Sequence, residues 1–161
     1  MTEQTMTTTS DRQSRPIPTT PHIVALLQTA DAVRRHFNTL VKAEGLTLQQ
    51  YNVLRILRDA GDAGLPTMLI GERMVELTPG LTRIVARLKT AGLVRRARNR
   101  SDKRQVVCRL TPAGLELLLR LDPAVSEAEE ALCAVLPEVE HAQFAAMLSQ
   151  LHGHVAGSPA E

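Results

Sequence analysis

Ten Lys or Arg side chains fall between positions 77 and 111, against one acid, Asp102. They are Arg83, Arg87, Lys89, Arg95, Arg96, Arg98, Arg100, Lys103, Arg104 and Arg109, and they give the stretch a local charge of +9 in a chain whose total is +2. From position 112 onward a single base, Arg120, stands against eight acids. Cations gathered on one short segment are suited to meeting a polyanion. Other chemistries lack their residues. There is no glycine-rich phosphate loop after a strand, no G-x-S-x-G elbow, no H-E-x-x-H and no carboxylate pair at a cleft-forming turn, so an enzyme is not expected. His152 and His154 stand two apart without an acid or Cys to complete a coordination shell, so neither a metal nor a cofactor is expected. Two cysteines, Cys108 and Cys133, are too few for a disulfide framework.

The elements that must carry these cations follow from local signals. Residues 1–20 are Thr-, Ser- and Pro-rich and read as a disordered tail. Thr20-Pro21 is a cap followed by proline at the first helical position, and Ile23, Leu26, Leu27, Ala30, Val33, Phe37, Leu40 and Val41 give one apolar face to a long helix that Gly45 ends. Thr47-Leu48-Gln49-Gln50 is a capping box that opens a second helix with Tyr51, Leu54 and Leu57 inward. A short third helix is expected over 66–74. Thr78-Pro79 repeats the cap-then-proline signal for a fourth, with Leu81, Ile84, Val85 and Leu88 inward and Gly92 at its end. Two β-rich runs, from Leu93-Val94 and from Gln105 to Leu110, flank the polar turn Asn99-Arg100-Ser101-Asp102 and read as a hairpin. Thr111-Pro112 starts another helix. Asp122-Pro123 either kinks it or caps a new one, and Pro137 opens the last helix, with Phe144, Met147, Leu148 and Leu151 apolar.

The expected fold is mostly α with a small β-hairpin wing: a winged helix-turn-helix plus a helical dimerisation region. Its parts are the tail (1–20), a dimerisation helix (21–44), the DNA-binding domain (45–111), C-terminal dimerisation helices (112–153) and a frayed tail (154–161). Aromatic content of 2% makes the core aliphatic, and no stretch reaches the ~20 apolar residues of a membrane span. With no secretory h-region either, the chain reads as cytoplasmic. The outer helices carry more apolar surface than one small domain can cover, so a second copy is the natural cover.

On the helix that opens near Thr78, Pro79 and Gly80, small residues let the backbone approach a duplex, and the free amides of the N-terminus suit a phosphate. Thr82 and Arg83 are expected nearest the bases, since an Arg can fork onto guanine, with Arg87 and Lys89 nearer the backbone. On the wing, Asp102, Lys103 and Arg104 suit the minor groove or flanking phosphates. Asp102 is expected to hold Arg104 or Arg100 in one rotamer, and Arg95, Arg96 and Arg98 to supply phosphate contacts.

From about Leu46 to Thr111 the chain resembles the MarR family of bacterial transcriptional regulators. The resemblance is carried by LTLQQYNVL, GLPTMLIGERM, LTPGLTRIVARLKTAGLVRR, the wing SDKRQVVCRL with its D-x-R, and the closing LTPAG. It implies a homodimer whose first and last helices intertwine, two lobes reading palindromic double-stranded DNA, and a small-molecule or redox input at the cleft between dimer helices and lobe. His36 and Tyr51 fall on the helices where the family binds phenolic or carboxylate effectors, and so are candidate ligand residues beside the plainer reading of a His that is merely solvated or hydrogen-bonded. The expected function is a ligand-responsive, homodimeric repressor on a palindromic operator. A winged-helix protein–protein adaptor is the alternative without need of the cations. A thiol-based redox sensor is another, but the peroxide-sensing branch places its cysteine near the start of the first helix and this chain has none there, so both cysteines are expected to pack.

Overall fold

The computed structural model describes residues 20–74, 80–98 and 105–157. Among these residues six α-helices and a hairpin follow one another: α1 (Pro21–Lys42), α2 (Leu48–Asp59), α3 (Thr67–Arg73), α4 (Leu81–Thr90), β1 (Val94–Arg98), β2 (Val106–Leu110), α5 (Pro112–Cys133) and α6 (Glu138–Gly157). The backbone separates into two compact units, Met1–Val33 and Arg34–Glu161. The first contains the opening turns of α1, where Val24 and Leu27 are exposed. The second holds everything from Arg34 onward.

Local chemistry explains the boundaries. Thr47 caps α2 by accepting from the Gln50 amide at 3.2 Å, and the Gln50 carboxamide accepts from the Thr47 amide at 2.8 Å, so the capping box is complete. Gly45 takes φ +75 in the turn before it. Buried Tyr51, Val53, Leu54 and Leu57 make α2 the central helix of the core, against Ile70 of α3, Val85 and Leu88 of α4, and Leu117, Leu118, Leu121 and Val125 of α5. The buried core is aliphatic apart from Tyr51 and Cys108, as the low aromatic content led one to expect.

The hairpin pairs antiparallel with Val94 opposite Leu110 and Arg96 opposite Cys108. A third segment joins it. Leu65 and Cys108 exchange both backbone bonds, at 3.0 and 2.7 Å, so β2 lies between β1 and Leu65. A 3-10 turn, Gly61–Ala63, leads into that bridge, and neither feature was expected.

Four readings change. The first described turn of the fourth helix begins at Leu81 with Gly80 as its cap, two residues later than the Thr78-Pro79 signal placed it; Thr78 and Pro79 lie outside the described residues. Pro123 sits inside one continuous α5, so Asp122 does not cap a new helix, because the buried face of α5 continues past it at Val125 and Ala128. α6 runs to Gly157, one turn beyond the expected end at Gly153. Cys108 packs in the core at 1% exposure, but Cys133, at the last turn of α5, is exposed.

Candidate nucleic-acid interface

α4 is held from one side only. Leu81, Ile84, Val85 and Leu88 turn inward, and Thr82, Arg83, Arg87 and Lys89 are exposed. Steps of three and four residues make this division, and Arg83 and Arg87, four apart, share the outer face. Gly71 of α3 lets α4 come close: a Cβ there would stand 3.2 Å from the Leu81 side chain. Gly80 adopts φ +95 and ψ 21, a left-handed conformation that glycine reaches without strain, and its carbonyl accepts from the amides of Arg83 (2.8 Å) and Ile84 (3.1 Å). The helix therefore begins on an exposed glycine, which offers no side-chain cap to its first amides.

The other end of α4 is tied to the wing. Gly92, at φ +73, and Leu93 donate back to Lys89 and Leu88, each at 3.0 Å, in a Schellman arrangement. The Thr111 hydroxyl donates to the Gly92 carbonyl at 2.7 Å and accepts from the Gly114 amide at 3.1 Å, while the Thr111 amide donates to the Leu93 carbonyl at 3.1 Å. One threonine thus joins the end of α4, the base of the hairpin and the start of α5. A Cβ on Gly114 would collide with the Leu93 carbonyl, so the closing L-T-P-A-G needs its glycine. Thr111→Ala removes both bonds. Its urea midpoint should fall by about 1–2 kcal/mol equivalent, typical of a lost cap, with an unchanged m-value.

On β1, Arg95, Arg96 and Arg98 are exposed. Between positions 80 and 98 there is no acid at all. Arg83, Arg87, Lys89, Arg95, Arg96 and Arg98 accordingly present six cations from a helix and the strand that follows it. Arg100, Asp102, Lys103 and Arg104, with the proposed Asp102 contact, lie outside the described residues.

Arg109 departs from the charge reading. It belongs to the ten cations, yet it is 6% exposed and faces inward. Its stem crosses Gly64, where a Cβ would meet the Arg109 Cγ at 2.6 Å, and its guanidinium donates to the Ala63 carbonyl at 3.4 Å. Its Nε has no partner among the described residues. Arg109 is part of the footing of the wing and is no surface contact. Alternation along β2 gave no warning, because Val107, Cys108 and Arg109 are all buried.

The two candidate ligand residues occupy different settings. His36 is exposed on α1, its ring edge-on to Phe37 with centroids 5.8 Å apart. Tyr51 is 2% exposed in the core, with the Arg55 guanidinium 5.8 Å above its ring. Burial pushes its phenol above the ordinary value, and Arg55 partly offsets this.

A helix-turn-helix closed by a β-hairpin, with cations on the outer face of its second helix and on its wing, defines a winged helix-turn-helix of the kind built for nucleic acid. Comparison with known proteins narrows the class. Residues 44–105 match the model of the MarR family. The HTH-type transcriptional regulator FarR of Neisseria gonorrhoeae is 31% identical over 113 residues, covering 70% of this chain and 76% of that protein. The homoprotocatechuate degradative operon repressor of Escherichia coli is 33% identical over 105 residues, covering 65% and 70%. The solved structure of NadR in complex with 4-hydroxyphenylacetate superposes with a TM-score of 0.66 at 26% identity, covering 85% of this chain and 96% of that one. The chain belongs to the MarR family. It is a transcriptional regulator of the winged-helix type and not an enzyme.

Proposed function

We propose that the protein is a homodimeric repressor that binds a palindromic operator in double-stranded DNA and is released by a small phenolic or carboxylate effector. It acts in the cytoplasm, where its DNA lies. The observation that carries the DNA reading is the exposed row of Arg83, Arg87, Lys89, Arg95, Arg96 and Arg98 with no acid between positions 80 and 98. α4 enters the major groove by its N-terminal end, where the small Thr78, Pro79 and Gly80 let the helix approach the duplex closely and Thr82 and Arg83 stand nearest the bases. Arg87, Lys89 and the arginines of β1 meet phosphates, and Arg100, Lys103 and Arg104 extend that contact from the wing, with Asp102 orienting them.

Support for the dimer is an uncovered helix. No residue of α6 is buried, and Val139, Phe144, Met147, Leu148, Leu151 and Val155 are all exposed. Leu136, Glu140, Gln143, Phe144 and Met147 line a cavity of about 240 Å³ on this surface. Two lobes related by a twofold axis would meet half-sites about one helical turn, roughly 34 Å, apart.

For the effector, the support is the homoprotocatechuate repressor and the 4-hydroxyphenylacetate complex among the relatives. A ligand relieves repression only by the difference in its affinity for two arrangements of the lobes. His36 and Tyr51 are the residues proposed to face it. An operator isotherm that no phenol or aromatic acid displaces would remove this part.

The DNA reading is tested by Arg83→Ala in a gel-shift series. It should lose about 1–3 kcal/mol of discrimination per half-site and flatten sequence preference. Arg104→Ala should weaken all sequences alike and lower the salt slope by about one unit. An unchanged Arg83→Ala isotherm would mean that α4 is not the reading helix.

A further inference from the structure

Three ion pairs bind α5 to α2 and to the turn before it: Arg58 to Asp122 at 2.7 Å, Arg55 to Glu129 at 3.6 Å, and Arg120 to Glu44 at 3.0 Å. The closest joins residues 64 apart in sequence, and both side chains are about one-third exposed, at 30% and 32%. Asp122 immediately precedes Pro123, which has no N–H to give the Leu119 carbonyl, so α5 lacks one rung there and bends more readily. Glu129 lies on the far side of the same gap. Beyond Ala128, α5 has no buried residue, so this is where it leaves the lobe for α6.

Exposed ion pairs add little to stability. Their geometric effect at this place is larger. A bend of about 10° at Pro123 would move the end of α5, about 15 Å away at 1.5 Å per residue, by about 3 Å. One base pair rises ~3.4 Å.

We propose that Arg58 and Asp122, supported by Arg55 and Glu129, are positioning residues that hold α5 at one angle to the winged-helix lobe across its missing rung, and thereby set the half-site spacing the dimer accepts. The inference rests on the paired-lobe reading under Proposed function. It assigns specificity to residues that touch no DNA.

The seam has its own reporter. Tyr51 is the only tyrosine and there is no tryptophan. Its charged neighbours are the members of the clasp: Arg55 and Arg58 favour the phenolate, and Asp122 and Glu129 disfavour it.

The test uses palindromes that the full-length wild-type protein selects from a randomised duplex pool, respaced one base pair at a time. Wild-type protein should show a sharp optimum. Asp122→Asn should bind a single half-site unchanged but lose its preference between the best and neighbouring spacings by about fivefold or more. The exchange Arg58→Asp with Asp122→Arg should restore the optimum. In Asp122→Asn the phenolate of Tyr51 should also form at lower pH, because a repelling carboxylate is gone and Arg58 is left uncompensated. If Asp122→Asn does not fold, Arg58→Gln makes the same spacing comparison. A spacing profile equal to wild type in the folded variant overturns the inference while leaving DNA binding intact. Wild-type protein that ignores every duplex overturns the DNA reading and the inference together.

Discussion

Leu148→Asp should yield a folded monomer in sedimentation velocity at concentrations where the wild type is a dimer. In the single chain Leu148 is 36% exposed, on a helix with no buried residue, so the substitution opens no cavity in the core. Far-UV circular dichroism of the variant should match that of the wild type. In a twofold seam the same change places one carboxylate from each copy in an apolar interface. An uncompensated buried charge costs about 3–5 kcal/mol, and there are two. At 1.4 kcal/mol per factor of ten, the dissociation constant should rise by at least about a hundredfold. Palindrome affinity should fall with it, since two tethered lobes owe much of their binding to effective concentration. An intact dimer would place the seam elsewhere and leave the apolar surface of α6 without its proposed cover.

Gly64→Ala should be among the most damaging small substitutions in the lobe. Gly64 has φ +67, a region that disfavours any Cβ. The added atom would also stand 2.5 Å from the Cys108 carbonyl and 2.6 Å from the Arg109 Cγ. The Cys108 contact is the serious one, because that carbonyl accepts from the Leu65 amide in the bridge between Leu65 and β2. Relief requires the bridge to open, which also removes the surface on which Arg109 lies. A loss of about 2–4 kcal/mol is expected, the range of strain combined with broken backbone pairing. Calorimetry should show a fall in Tm of roughly 5–15 °C. DNA affinity measured well below that Tm should drop too, because β1 and its three arginines pair with β2. A Tm within a degree of wild type would mean that the wing does not depend on this bridge.

The two cases show which information is local. The capping box at Thr47, the proline-opened helix at Pro112, the glycine stop at Gly92 and the alternation of inward and outward residues on α4 each involve neighbours within about four positions, where short-range hydrogen bonding and helical periodicity decide the outcome. The helices, the hairpin and the exposed positions of Arg83, Arg87, Arg95 and Arg96 were therefore legible from the chain. So was the uncovered face of α6. The start of α4 was placed two residues early on the cap-then-proline order of Thr78-Pro79, while Gly80 supplies the left-handed residue on which the described helix begins. Asp122-Pro123 was ambiguous because a proline says only that one rung is missing. Whether the helix continues depends on the core that Val125 and Ala128 enter.

Residue types in order were enough to establish a winged helix-turn-helix with its cations on α4 and the hairpin, since these features arise from contacts a few residues long and from charge that can be counted. Tertiary packing alone decided that Arg109 leaves the charged surface to lie over Gly64, that Leu65 becomes a third partner of the hairpin, and that Asp122 meets Arg58. Each of these joins positions more than forty residues apart, where no periodicity reaches and only the folded lobe supplies the partner.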